Sequence, residues 1–170
     1  MGGLCPHPIN KGDFMSKKLV AFFSAEGTTA KKAELLKEAA GADIYEIKPE
    51  NPYSEADINW RNPLSRCNKE WIKKAKISLS DRNAKIEDYD VIFLAFPIWY
   101  YQAPLIIRSF LEAYDFSGKR IVLFATSGGS SFGKTAENLK KFAPNAEIIE
   151  GAMLNSITSA QELTDIVNKY

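Results

Sequence analysis

Five short apolar runs alternate along the chain with segments whose apolar positions recur every three or four residues. The clearest runs are KLVAFFS (18–24), DVIFLAF (90–96) and RIVLFAT (120–126), rich in Val, Ile and Phe and too short for buried helices. Such runs predict buried strands. ADIYEIK (42–48) and AEIIEG (146–151) predict two more. Between the first pair, residues 28–40 place Ala33, Leu36 and Ala40 on one helical stripe, and Gly41 is suited to end that helix. Further helices are expected from Pro63 to about Ala75, with Pro63 in the first turn, and over 104–114, 134–143 and 159–170. Ser159 and Glu162 have the spacing of a capping box. Residues 49–62, with Pro49, Asn51 and Pro52, read as loop.

Strands alternating with helices of about ten residues imply a parallel sheet with right-handed crossovers and helices on both faces. The fold class is therefore α/β, a three-layer sandwich, and five strands suit the doubly wound order 2-1-3-4-5. Ligands of such sheets bind beyond the carboxyl ends of the strands, at the switch point between the first and third. The loops after residues 24, 96 and 126 should carry the chemistry.

The 170 residues are enough for one domain with a substantial core, and 45% hydrophobic with 25% charged residues is a globular composition. A net charge of +1, from 22 basic and 21 acidic residues, calls for neither nucleic acid nor an anionic membrane as partner. No apolar run approaches the roughly 18 residues that would span a bilayer. Two cysteines, Cys5 and Cys67, make no disulfide framework, so a reducing cytoplasmic setting is expected. His7 is the only histidine, which removes His-based triads, and Cys5-Pro6-His7 offers too few ligands for a closed metal site. Residues 1–14 show no periodicity and Met15 has the position of a native start, which makes 1–14 an extension and 15–170 a single domain.

One motif points elsewhere. Gly128 to Thr135 spells Gly-x-x-x-x-Gly-Lys-Thr, the pattern of a nucleotide-binding P-loop. Such a loop needs an Asp at the end of a neighbouring apolar strand to help hold Mg²⁺. The other strands end in Phe23-Ser24, Lys48-Pro49 and Phe96-Pro97, so the partner is missing and the match reads as a Gly/Ser-rich turn before an ordinary helix.

The three loops at the expected edge describe a different ligand. Ser24, Ala25, Glu26, Gly27, Thr28 and Thr29 form a small, hydroxyl-rich turn opening onto a helix, suited to one phosphomonoester. Pro97, Ile98, Trp99, Tyr100 and Tyr101 set three consecutive aromatics where the crevice opens, a surface for a flat heteroaromatic ring. Thr126, Ser127, Gly128 and Gly129 have little bulk and can bring backbone donors to a ring edge. Each loop alone also reads as a polar turn, a packing feature or a contact patch; together they describe a monophosphate joined to a planar, hydrogen-bonding ring.

Over residues 16–170 the chain resembles the flavodoxin-like FMN-binding family. That family's phosphate loop, Ser/Thr-x-Thr/Ser-Gly-x-Thr, is matched by Ser24, Gly27 and Thr29, with Glu26 in place of a hydroxyl residue. A carboxylate facing phosphate is repelled, so Glu26 is expected to offer its N–H and turn its side chain to water. The family's Pro-Ile-Trp-Trp-Gly-x-x-Pro loop is similar to Pro97–Pro104, with Tyr100 for the second Trp and Tyr101 for the Gly. Residues 53–66 resemble a flavodoxin subgroup, in which Tyr53, Asn59 and Trp60 either border the flavin or pack under the sheet. The resemblance implies FMN as cofactor and no catalytic side chain. It leaves two functional classes: an electron carrier between protein partners, or an NAD(P)H-dependent oxidoreductase of quinones or similar small acceptors, as monomer or homodimer.

Overall fold

The structure is a computed structural model that describes residues 16–170, so the reading of residues 1–14 as an extension before Met15 lies outside the described residues. Five strands form one sheet: β1 (Lys18–Phe22), β2 (Asp43–Glu46), β3 (Val91–Pro97), β4 (Arg120–Thr126) and β5 (Glu147–Met153). Every pairing is parallel and the order is β2-β1-β3-β4-β5, as the alternation of elements implies. The helices are α1 (Thr28–Ala40), α2 (Arg66–Lys73), α3 (Leu105–Ala113), α4 (Thr135–Leu139) and α5 (Ala160–Val167).

The two-residue period of the strands divides the core in two. Leu19, Ala21 and Phe23 face one side with Ile92, Leu94 and Phe96, and meet Ile106, Ile107 and Phe110 of α3 and Leu139 of α4. Val20, Phe22, Phe93 and Phe124 face the other, against Ala33 and Leu36 of α1 and Leu163 and Val167 of α5. Both faces of β3 and β4 are therefore buried, which is why these strands are continuous apolar runs without alternation.

Several boundaries and one cap differ from expectation. The second helix begins at Arg66, leaving Pro63 outside it: Asn62 accepts Leu64 N–H through its side chain and Ser65 N–H through its carbonyl, which holds the chain in a turn. α4 ends at Leu139 rather than 143, because the chain turns at 140–142 on the way to Pro144. β2 is trimmed to four residues at the sheet edge. In α5, Ser159 Oγ accepts Glu162 N–H at 3.1 Å as a capping box requires, but the Glu162 carboxylate reaches Thr158 N–H.

β5 carries one extra residue opposite β4: Leu123 pairs with Glu150 and Phe124 with Ala152, so Gly151 is the bulge. A Cβ at Gly151 would lie 2.8 Å from both Leu123 O and Val122 Cγ1. Only glycine fits there without displacing the neighbouring strand. The bulge sets the exit of β5 and, with it, Asn155.

Candidate functional site

The carboxyl ends of β1, β3, β4 and β5 converge on one crevice with two lobes. The first, about 420 Å³, is lined by the loop after β1, by Pro97 and Ile98, by Thr126–Gly128 and by Asn155. The second, about 390 Å³, is lined by Ile98, Tyr100, Tyr101, Ile58, Cys67 and Ser130. Glu26, Trp60, Ile98 and Trp99 line both lobes. All three sequence-predicted loops thus meet. Gly27 and Gly129 line neither lobe; Gly27 instead begins α1, and Gly129 donates its N–H to Ser127 Oγ.

The first lobe opens onto the start of α1. Gly27 has φ +86°, a left-handed conformation that turns the chain into α1, and its N–H donates to Ser24 Oγ at 3.0 Å. No side chain caps α1 and its first turn has no acidic residue. The amides of Ala25, Glu26, Thr28 and Thr29 have no partner among the described residues. Free N–H groups and the positive end of a thirteen-residue helix dipole face the same cleft. Glu26 is solvent-exposed at the rim, in keeping with a carboxylate that cannot share a desolvated site with phosphate.

Thr29 is buried, and its hydroxyl shares a 2.8 Å hydrogen bond with Thr126 Oγ1, joining the loop after β1 to the end of β4. The loop after β4 is braced from within: Ser127 Oγ accepts N–H from Gly129 and Ser130. Ser127 N–H donates to Asn155 Oδ1 at 2.6 Å. Of the donors expected from this loop, Gly128 N–H is the one with no partner among the described residues. Asn155 was not legible from the three loops considered; the signal for it is that β5 ends at the same edge of a parallel sheet.

The aromatic loop is a tight hairpin. Trp99 and Gln102 exchange both backbone hydrogen bonds, at 2.8 and 3.0 Å, with Tyr100 and Tyr101 between them at φ +51° and +62°. Positive φ at both central residues is the pattern of a type I′ turn, which ordinarily selects Asn-Gly. The three aromatics consequently part company. Trp99 packs edge-on against Phe23 and Tyr53, at centroid distances of 5.5 and 5.6 Å. Tyr100 stacks on Trp71 of α2 at 5.0 Å with the planes 14° apart. Tyr101 is 78% exposed.

Asn68 of α2 organises this side. It accepts the Tyr100 hydroxyl, and its amide donates to the carbonyls of Trp60 and Asn62. Burial, followed by a hydrogen bond to Cys67, raises the Tyr100 hydroxyl well above an ordinary tyrosine, so it stays protonated and donating. Trp60, held by its backbone and 68% exposed, lines both lobes, with the Arg61 guanidinium 5.2 Å from its ring centre. Tyr53 instead packs beneath: its hydroxyl donates to Glu70 at 2.6 Å and the Arg66 guanidinium lies 4.2 Å from its ring centre. Asn59 lines neither lobe.

The P-loop spelling has no counterpart in space. Thr135 is 1% exposed and its hydroxyl has no hydrogen-bond partner among the described residues, while Lys134 is exposed. Gly128 belongs to the crevice, and Lys134-Thr135 to the start of α4.

With this geometry in hand, the comparison with known families is decisive: the sequence model described as Flavodoxin matches residues 17–170. The chain belongs to the flavodoxin family. A crystallised candidate flavoprotein from Bacteroides eggerthii DSM 20697 is 43% identical, with a TM-score of 0.84 over 91% of this chain and 97% of that one. One from Bacteroides uniformis ATCC 8492 is 38% identical, with a TM-score of 0.83 over 90% and 98%. A flavoprotein from Lactobacillus acidophilus NCFM, crystallised in complex with FMN, shares the fold at 21% identity and a TM-score of 0.62, over 83% and 95%. The search of curated proteins finds no match. Among the described residues of this flavodoxin-family chain, no helix is long and apolar enough to cross a membrane.

Proposed function

We propose that the crevice binds FMN without a covalent bond and that the protein is a flavodoxin-type redox protein passing electrons through it. The observation that carries the reading is the uncapped start of α1, with four free amides, opening into the same cleft as an indole, an exposed phenol and a glycine-rich loop. Ala25, Glu26, Thr28 and Thr29 would hold the phosphate through their amides, with Ser24 fixing Gly27 and Thr126 fixing Thr29. Trp60 and Tyr101 would cover the ring, and the Gly128 amide would donate at its polar edge. FMN supplies one- and two-electron chemistry that no side chain here possesses. The chain's own part is to bind, orient and partly dehydrate: the Ile98 and Trp99 wall disfavours added negative charge at the ring, and loop amides favour it at the edge they face.

A second reading, an NAD(P)H-dependent oxidoreductase acting on quinones or similar acceptors, draws on two observations. The net charge of +1 lacks the acidity that steers a carrier to basic partners. The aromatics that would cover the ring, Trp60 and Tyr101, are exposed, which leaves room for a small reactant. Visible spectra with added FMN test the shared premise, and NAD(P)H oxidation with a quinone, without partner protein, separates the two readings.

A further inference from the structure

A second cleft of about 330 Å³ lies beside the crevice, between α2, α3 and α4, lined among others by Trp71, Lys74, Gln102, Arg108, Lys141 and Phe142. Among the described residues, three cations line it and no carboxylate does. Arg108 is half-buried, and its guanidinium lies 5.9 Å from the ring centre of Trp71 and 5.3 Å from that of Phe142. It makes no ion pair and no hydrogen bond with a described residue, and neither does the ammonium group of Lys74 or Lys141. A guanidinium carries five donors, and none of those on Arg108 is taken by a described residue. A guanidinium fork beside two aromatic rings can receive a phosphate through paired N–H donors.

The cleft adjoins the flavin crevice. Trp71, in its wall, stacks on Tyr100, in the wall of the crevice. Cys67 and Trp71, one turn apart on α2, each line one of the two cavities. Gln102 closes the turn that exposes Tyr101. A ligand with phosphates in one cavity can therefore extend a flat ring into the other.

We propose that this basic cleft binds the adenylate phosphates of a nicotinamide dinucleotide whose other end reaches the crevice. The proposal rests on the second, NAD(P)H-dependent reading of the FMN crevice and names where that reductant binds. The recessed position of Arg108 favours a small phosphorylated ligand over the carboxylates of a protein partner.

The test is isothermal titration of 2′,5′-ADP and NADP⁺ into FMN-saturated protein, with loading checked by the visible spectrum. Both nucleotides should bind, adenosine should not, and inorganic phosphate should bind at least tenfold more weakly. Arg108→Leu should reduce nucleotide affinity at least tenfold while FMN uptake stays unchanged. Should that variant fold poorly, the exposed changes Lys74→Gln and Lys141→Gln should each reduce affinity severalfold. Absence of nucleotide binding, unchanged affinity in the variants, equal binding of adenosine, or phosphate as tight as nucleotide would each overturn the proposal. An acidic protein that binds where the nucleotides do not would overturn it too. If FMN itself is not taken up, the premise fails first, and titrating the FMN-free protein still reads the basic cleft by itself.

Discussion

Tyr101 stands where the family loop carries glycine, and its backbone takes φ +62°, a conformation that glycine adopts without steric cost. A left-handed conformation costs a residue with a Cβ about 1 kcal/mol or more, and an exposed ring regains little of it by burial. Tyr101→Gly should therefore leave stability within about 1 kcal/mol of the parent, on the stabilising side, as urea unfolding would measure. FMN affinity should nevertheless fall two- to tenfold, roughly the worth of one aromatic contact. A loss of stability well beyond that range would mean that the ring packs against the protein. The sequence made the aromatic run legible at this scale, but not that its members face three ways. Trp99 and Tyr100 are fixed in the crevice wall because Phe23, Tyr53 and Trp71 receive them, partners up to 76 residues distant in the chain for Trp99 (99 − 23).

Among the elements, the strands buried on both faces were readable almost to the residue, β4 as 120–126 and α1 as 28–40, because period and end signals agreed there. Gly41 closes α1 at φ +58°, with Ala42 N–H returning to Lys37 O. Readability failed where tertiary contacts outrank local preference, above all over 49–89. There Pro49 bridges Leu79 and α2 is held by Asn68, Glu70 and Arg66, none of which forms a periodic pattern. Asn155 was missed for a related reason: what aims it is the Gly151 bulge, and a lone glycine in a strand does not announce its register. Gly151→Ala should destabilise the protein by about 1–3 kcal/mol, since the added Cβ meets backbone at 2.8 Å. It should also weaken FMN binding by displacing Asn155 from Ser127 N–H. Thermal unfolding and FMN titration of the variant would measure both; an unchanged melting temperature would contradict the reading of the bulge.

At the scale of the whole molecule, two tyrosine hydroxyls bind the connection 49–89 to β2 and a third fastens the connection to itself. Tyr45 donates to Asp81, Tyr53 to Glu70 and Tyr89 to Asp43, at 2.6, 2.6 and 2.8 Å. Burial, then these carboxylates, raise all three hydroxyls above the ordinary value near 10, Tyr89 to about 12. The folded state thus holds these protons more tightly than the unfolded chain. Their contribution to stability is complete below pH 10 and is lost as pH rises from there through the folded-state values. Asp81 works in the opposite direction: the Tyr45 hydroxyl and then Asn83 N–H hold its carboxyl below the usual range, so its share is lost as pH falls through that lowered value. Melting temperature should be nearly flat through neutral pH and fall steeply above about pH 10, and Tyr89→Phe should make that fall shallower. The central claim, that one crevice at the carboxyl edge of the sheet holds FMN by its phosphate and ring, meets its most direct test in the visible spectrum of the protein mixed with FMN and then desalted. Retention of one yellow flavin per chain, abolished by Gly27→Val, is the predicted result. A colourless protein, or equal retention in the variant, would contradict it.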